Sequence, residues 1–320
     1  MHKRAGWMAA LAAVGLLCGG AAARAEDGVK VGQSIAACLC FLPARVADQV
    51  GILKRHGLSM ELLILRGDAQ EMQALASGGI DVGLGSGPGI GLISKGVPAK
   101  GVAVIADSLA DMALIAPKGG VTSLDQLKGR KLGVSSAGSL TYWLARRVAL
   151  HEGWEPTAIA PVSLGDLDAN IAGLKSGAVD GIVFGVEAGY LLGDLGQGQV
   201  VATMDQIVPN FISHAMFATD AMIKDRPDVL RRFVEAWFET IGWMGEHRAE
   251  TVAIATGVTK LPEGVMGRTY DTVMPTMSRT GVFNAASLRL LADSFVELGM
   301  LPGAIDPAPY LDTRFLPGGR

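Results

Sequence analysis

The feature that most constrains this chain is an approximate internal duplication, two stretches about a hundred residues apart that run in parallel. The first opens on Val31-Gly32-Gln33-Ser34, passes Ala44-Arg45-Val46-Ala47 and turns at His56-Gly57-Leu58. It continues with an apolar run from Glu61 to Leu65, a Gly67-Asp68 turn, a segment ending Leu75-Ala76-Ser77-Gly78, and Ile80-Asp81-Val82. The second repeats the order: Leu132-Gly133-Val134-Ser135, Ala145-Arg146-Arg147-Val148, Glu152-Gly153-Trp154, Val162-Ser163-Leu164, Gly165-Asp166, Leu174-Lys175-Ser176-Gly177 and Val179-Asp180. Short apolar runs alternate with helix-length periodic segments and glycine stops, so each stretch reads as strand, helix, strand, helix, strand. Such alternation gives mainly parallel sheets covered by helices. In open α/β sheets ligands collect beyond the carboxyl ends of the strands, so two facing lobes predict one shared cleft.

Beyond the second unit the chain crosses through Val200 to Phe211 to a further strand, Ala215–Ala218. A helix follows from Pro227 to about Glu246, with Leu230, Phe233, Val234, Trp237 and Ile241 on one stripe, and the rest is helical in pieces and returns to cover the first lobe. The expected division is residues 1–25 as a secretory signal, 26–108 as the first part of lobe 1, 109–210 as lobe 2, and 211–320 as the return to lobe 1. Lys3 and Arg4, the apolar run Trp7 to Cys18 and Ala23-Arg24-Ala25 carry the signal reading, with cleavage after Ala25. Cys18 follows Leu17, where a lipoprotein signal wants a small residue. No later run is apolar enough to anchor the chain in a membrane.

The charged residues, 28 basic and 31 acidic, become 25 and 31 without Lys3, Arg4 and Arg24, a mature charge near −6 that disfavours nucleic acid as a partner. Two cysteines remain after the signal, Cys38 and Cys40, too few for a disulfide framework. Three readings stand for them: a disulfide closing a very small ring, a metal site, and apolar lining of the cleft. The ring looks strained, and His56, His151, His214 and His247 have no ligand spacing with the pair, so lining is the leading expectation and no metal or cofactor is expected.

Several phrases resemble the nitrate, taurine and sulfonate branch of ABC-transporter solute-binding proteins, which includes thiamine-precursor binders. They are Gly51-Ile52-Leu53-Lys54-Arg55-His56-Gly57-Leu58, Ala76-Ser77-Gly78-Gly79-Ile80-Asp81-Val82-Gly83, Ser123-Leu124-Asp125-Gln126-Leu127-Lys128-Gly129-Arg130-Lys131-Leu132-Gly133-Val134, Lys175-Ser176-Gly177-Ala178-Val179-Asp180 and Tyr310-Leu311-Asp312. The resemblance implies a two-lobed periplasmic binding protein, each lobe a mixed, mostly parallel sheet flanked by helices, closing on a solute without catalysis and delivering it to permease subunits. A monomer is expected.

The strand-end loops supply the candidate ligand-binding residues. Ser136, Gly138 and Ser139 lie before a helix and suit an anion through free N–H groups and hydroxyls, although a serine there can simply cap the helix. Ser34, Cys38, Leu39, Cys40 and Phe41 follow the first strand and suggest an apolar body on the solute. Asp68, Ser86, Gly87 and Ser108 end further strands or precede the crossing. Glu187 is the exception, since a carboxylate in the cleft favours an amine or hydrogen-bond donor and opposes a bare anion. The combined expectation is an organic acid or sulfonate with an apolar body. The alternatives are a periplasmic enzyme or metal-handling protein centred on Cys38 and Cys40, and a carrier that reports to a receptor. No G-x-S-x-G, H-E-x-x-H or G-x-x-x-x-G-K pattern is present.

Overall fold

The computed structural model describes residues 26–36 and 38–318. The expected signal segment therefore lies outside the described residues. Two five-stranded sheets organise the chain. The first contains β1 (Asp27–Gln33), β2 (Leu58–Ile64), β3 (Val82–Ser86), β4 (Ala99–Ala106) and β10 (His214–Thr219). The second contains β5 (Met112–Pro117), β6 (Lys131–Val134), β7 (Ala160–Ser163), β8 (Gly181–Gly185) and β9 (Gly198–Thr203).

The strand orders are β2-β1-β3-β10-β4 and β7-β6-β8-β5-β9, the same pattern twice. In each sheet the first three strands are parallel and the fourth is antiparallel to its neighbours. The chain leaves the first sheet after Ala106, begins the second at Met112, and returns between Thr203 and His214. Each antiparallel strand is the one delivered by a crossing segment.

The duplication extends to single hydrogen bonds. Asp81 accepts from the Lys30 amide at 2.9 Å, and Asp180 accepts from the Lys131 amide at 2.9 Å. The Gly67 amide donates to the Ser34 carbonyl at 2.9 Å, and the Gly165 amide to that of Ser135 at 3.0 Å. The first pair ties a strand to the turn just before the third strand, and the second ties its end to the loop that follows the second strand.

The helix Pro227–Glu246 buries Leu230, Phe233, Val234, Trp237 and Ile241, the stripe that the 3.6-residue period predicts. It belongs to the first lobe's core with Val31, Leu84 and Phe41. A second apolar cluster runs from Met72 and Ile90 in the first lobe to Leu114 and Trp143 in the second, by way of Phe211 and Phe295. Phe211, on the returning segment, stacks on Trp143 at 4.4 Å.

The C-terminal helices do more than cover the first lobe. From the helix Glu263–Val273, Arg268 pairs with Asp194 at 2.6 Å and Thr272 with the Tyr190 hydroxyl at 2.8 Å. From Ala285–Glu297, Glu297 accepts from the Trp143 indole at 2.8 Å and pairs with Arg147 at 3.1 Å. These contacts bridge to the second lobe's helices. No helix among the described residues is long and apolar enough to cross a membrane.

Candidate functional site

The two crossing segments bring the chemistry together. His214 opens β10 and lies opposite Ser86 of β3 and Ala106 of β4, so its backbone is held from both sides. Asp111 immediately precedes β5, and its carbonyl accepts from the Val186 amide at 2.8 Å, which fastens it to the start of the helix Val186–Asp194. Their side chains meet with His214 Nδ1 3.5 Å from an Asp111 oxygen, and both are buried. The Phe41 ring stands edge-on to the imidazole at 5.1 Å, and Nδ1 also lies 3.1 Å from the Ser213 hydroxyl.

Charge in this region is unusual. Burial pushes the Asp111 carboxyl up to about 8, helped by the neighbouring Glu187 and Asp205 carboxylates. Burial also raises Glu187 to about 7 and holds the His214 imidazole down to about 4. Asp111 Oδ1 and Asp205 Oδ1 are buried without a hydrogen-bond partner among the described residues. Glu187 lies 7% exposed in the first turn of its helix, its carboxylate folded back over Gly185, where a side chain would collide with it. Three acidic side chains grouped at Asp111, with the neutral imidazole beside it, favour a cationic or donor-bearing group over an anion.

Cys38 and Cys40 are joined as a disulfide, the small-ring reading among the three that their spacing allows. The ring closes because the chain bends into a 3₁₀ turn at Leu39–Phe41, setting the two Cα atoms 5.2 Å apart, within the usual disulfide range. Gln33 shapes the approach by donating its side-chain amide to the Ile35 carbonyl. A loop this short constrains the unfolded chain only weakly, about 1.6 kcal/mol by chain entropy against about 3 kcal/mol for a fifteen-residue loop. Reduction is therefore expected to lower the unfolding free energy by about 1.6 kcal/mol, as checked by urea titration with and without a thiol reductant.

Several anticipated ligand residues have other work. Ser139 caps the helix Leu140–His151 by accepting from the Tyr142 amide at 3.2 Å, and its hydroxyl shares a network with Ser135 and Thr141. Ser136 is exposed, its carbonyl accepts from the Ser139 hydroxyl, and Gly138 makes the left-handed turn at φ +76°. Ser139 thus takes the capping role that the sequence offers beside anion binding, and the two roles are compatible. Asp68 takes the Ser86 amide at 3.0 Å and its hydroxyl at 2.6 Å, pinning β3 to the helix Asp68–Ala76. The Gly87 amide donates to Ser213, Ser34 exchanges backbone bonds with Leu84 and Gly67, and Ser108 accepts from Ala110. Leu39 and Phe41 are core residues.

Of the anticipated residues, Cys38, Cys40, Phe41 and Glu187 gather with Asp111 and His214. Sequence reasoning missed Asp111, Asp205 and the part played by His214. The available signal was a polar side chain at the end of an otherwise apolar strand, Asp111 before Met112–Ala116 and His214 before Ala215–Ala218.

The comparisons with known proteins agree with the fold. The family model described as NMT1/THI5 like matches residues 40–251, more than half of the chain. A Brucella abortus protein named as a candidate binding protein is 24% identical over 279 residues, spanning 83% of this chain and 84% of the relative. The alkanesulfonate-binding protein SsuA from Xanthomonas axonopodis pv. citri, solved with MOPS, superposes with a TM-score of 0.77 at 18% identity over 90% of this chain and 99% of that one. The periplasmic nitrate-binding protein NrtA from Synechocystis PCC 6803 gives a TM-score of 0.71 at 16% identity over 89% of this chain and 84% of that one. The two-lobed binding-protein architecture that the duplication predicts is thus the fold observed.

Proposed function

This chain belongs to the NMT1/THI5-like family, and from that premise we propose that it is the substrate-binding component of an ABC importer, capturing a small organic solute between its lobes and handing it to permease subunits. The observation that carries the reading is the meeting of both crossing segments at Asp111 and His214. Closure about residues 107–111 and 204–213 would desolvate a solute there and create a surface specific to the loaded state. Those same crossings support the division into residues 26–108, 109–210 and 211–320. The basic and apolar N-terminal segment supports export to the periplasm with cleavage after Ala25. The protein acts as a monomer and binds without chemistry.

The acids grouped where the crossings meet redirect the expectation about the solute. A bare sulfonate or carboxylate would face Asp111, Glu187 and Asp205, whereas an amine or amidine on an apolar body would take up the unsatisfied oxygens of Asp111 and Asp205. The test is a thermal-shift screen of residues 26–320, with the disulfide intact, against amines, pyrimidines, carboxylates and sulfonates. A cationic or donor-bearing class at a hundredfold excess over Kd is expected to add about 2.7 kcal/mol of stability. The Asp111→Asn, Glu187→Gln pair should abolish that gain. A shift produced by sulfonates alone and indifferent to both substitutions would overturn the cationic reading, and no shift with any organic class would overturn solute capture.

A further inference from the structure

We infer that the reduced form of this protein carries a four-ligand transition-metal site made by Cys38, Cys40, Asp111 and His214, for a borderline-to-soft cation of the zinc class, and that the Cys38–Cys40 disulfide switches it off. One ligand atom from each of the four lies within 4.8 Å of all the others. Two sulfurs, one imidazole nitrogen and one carboxylate oxygen make a donor set suited to tetrahedral zinc and its neighbours, and unlike the all-oxygen shell that magnesium or calcium prefers.

Two further observations separate this group from a chance cluster. Asp111 Oδ1 is buried and has no hydrogen-bond partner among the described residues, in a side chain only 4% exposed, so a buried acceptor is left for a cation to satisfy. The imidazole is already oriented, with Ser213 beside Nδ1 and the Phe41 ring perpendicular to it at 5.1 Å. The scaffold is rigid where the ligands attach. His214 is bonded between two strands inside the first sheet, the cysteines belong to a turn that leads into the helix Leu42–Gln49, and Asp111 immediately precedes the strand that enters the second sheet. A metal held there joins the first lobe to the crossing segment directly, so loading and lobe closure are coupled.

The redox gate follows from the chemistry of sulfur. The thiolate is the metal ligand, and a disulfide sulfur carries no such charge. Opening the bond takes two electrons and two protons, supplied by a dithiol reductant of the thioredoxin class that becomes a disulfide itself. Its thiolate attacks Cys38, the less buried of the two, and Cys40 departs as the first thiolate; the reductant's second thiolate then attacks its own sulfur in the mixed disulfide and releases Cys38 as the second. A divalent cation then displaces the proton remaining on each thiol, and two thiolates with one carboxylate surround it. Oxidation by a disulfide reverses the sequence and expels the ion. This inference does not rest on the organic-solute reading, which is tested with the disulfide closed.

The test is an anaerobic titration of residues 26–320 with cobalt(II), followed by displacement with zinc. Reduced protein is expected to bind one equivalent of cobalt, with a sulfur-to-metal charge-transfer band in the near ultraviolet and tetrahedral ligand-field bands in the red. Air-oxidised protein should bind at least a hundredfold more weakly and lack the charge-transfer band. Cys38→Ser with Cys40→Ser should lose that band, and Asp111→Asn should weaken binding by 10–100-fold while keeping it. Comparing one wild-type sample in two redox states needs no variant to fold. Equal binding in both states, no saturable binding in the reduced state, or an unchanged charge-transfer band in the double variant would each overturn the inference.

Discussion

Gly87→Ala is expected to destabilise the protein by about 3 kcal/mol, near the upper end for overpacking a well-filled interior. A methyl group at this position would run into the Ile212 carbonyl on the returning crossing, which is backbone and cannot swing aside. The collision also pulls apart the 3.0 Å bond from the Gly87 amide to the Ser213 carbonyl, one residue from His214. With an unfolding entropy near 2 cal/mol/K per residue, the thermal midpoint should fall by about 5 °C, and calorimetry reads it directly. Gly242 supplies the control. It lies within the helix Pro227–Glu246 with open space where its side chain would be, so Gly242→Ala should stabilise by about 0.5–1 kcal/mol. If both variants lose stability alike, close approach of the crossing is not what glycine provides at residue 87.

Glu71→Gln should stabilise the protein at alkaline pH relative to acid pH and flatten its stability profile above the ordinary carboxyl pKa of 4.5. Glu71 is fully buried, its carboxylate rests against Gly83 and Gly85, and neither oxygen has a partner among the described residues. Burial raises its pKa well above the usual 4.5, and nearby Asp68 adds to the shift. The folded state therefore holds this proton more tightly than the unfolded chain does. Its contribution is fully present below the unfolded pKa and is lost as the pH rises toward the folded value. Glutamine keeps the shape and removes the titration. Asp111, Glu187 and His214 leave a residual slope common to both proteins, so the difference between the two profiles belongs to Glu71. Urea unfolding across pH reads it, and parallel profiles would refute the assignment.

The internal duplication itself suggests that substitution. Counting back from Gly78 and Gly177, Glu71 occupies the place that Asn170 holds in the second lobe. Asn170 is equally buried, but its amide donates to the Gly165 and Asp166 carbonyls at 3.1 and 2.9 Å. One lobe carries a neutral side chain, its amide donating to two carbonyls, at a position that the other fills with an acid.

How far the sequence could be read depended on how local each feature was. Glycine stops, apolar periods and the repeated Gly-Asp turns are short-range, and they disclosed the strand pattern and the long amphipathic helix. The capping serine and the ligand-binding serine look alike in sequence, and only the bond from the Tyr142 amide to Ser139 shows the cap. The disulfide depended on a turn that two isolated cysteines do not announce. Asp111 and His214 stand 103 positions apart on segments whose partners are chosen by sheet topology, so no spacing rule could have joined them to Cys38 and Cys40.

The origin of β10 also governs the order in which the molecule can be built. The second sheet draws every strand from one continuous stretch, Met112 to Thr203, and can close by itself. The first sheet has a vacancy between β3 and β4 that stays open until residue 214 and those after it arrive. For a chain that emerges amino end first, the later lobe matures before the earlier one, and two unpaired strand edges stay exposed in the meantime. The price of a shared hinge strand is a long interval in which the first lobe needs protection from pairing with other chains.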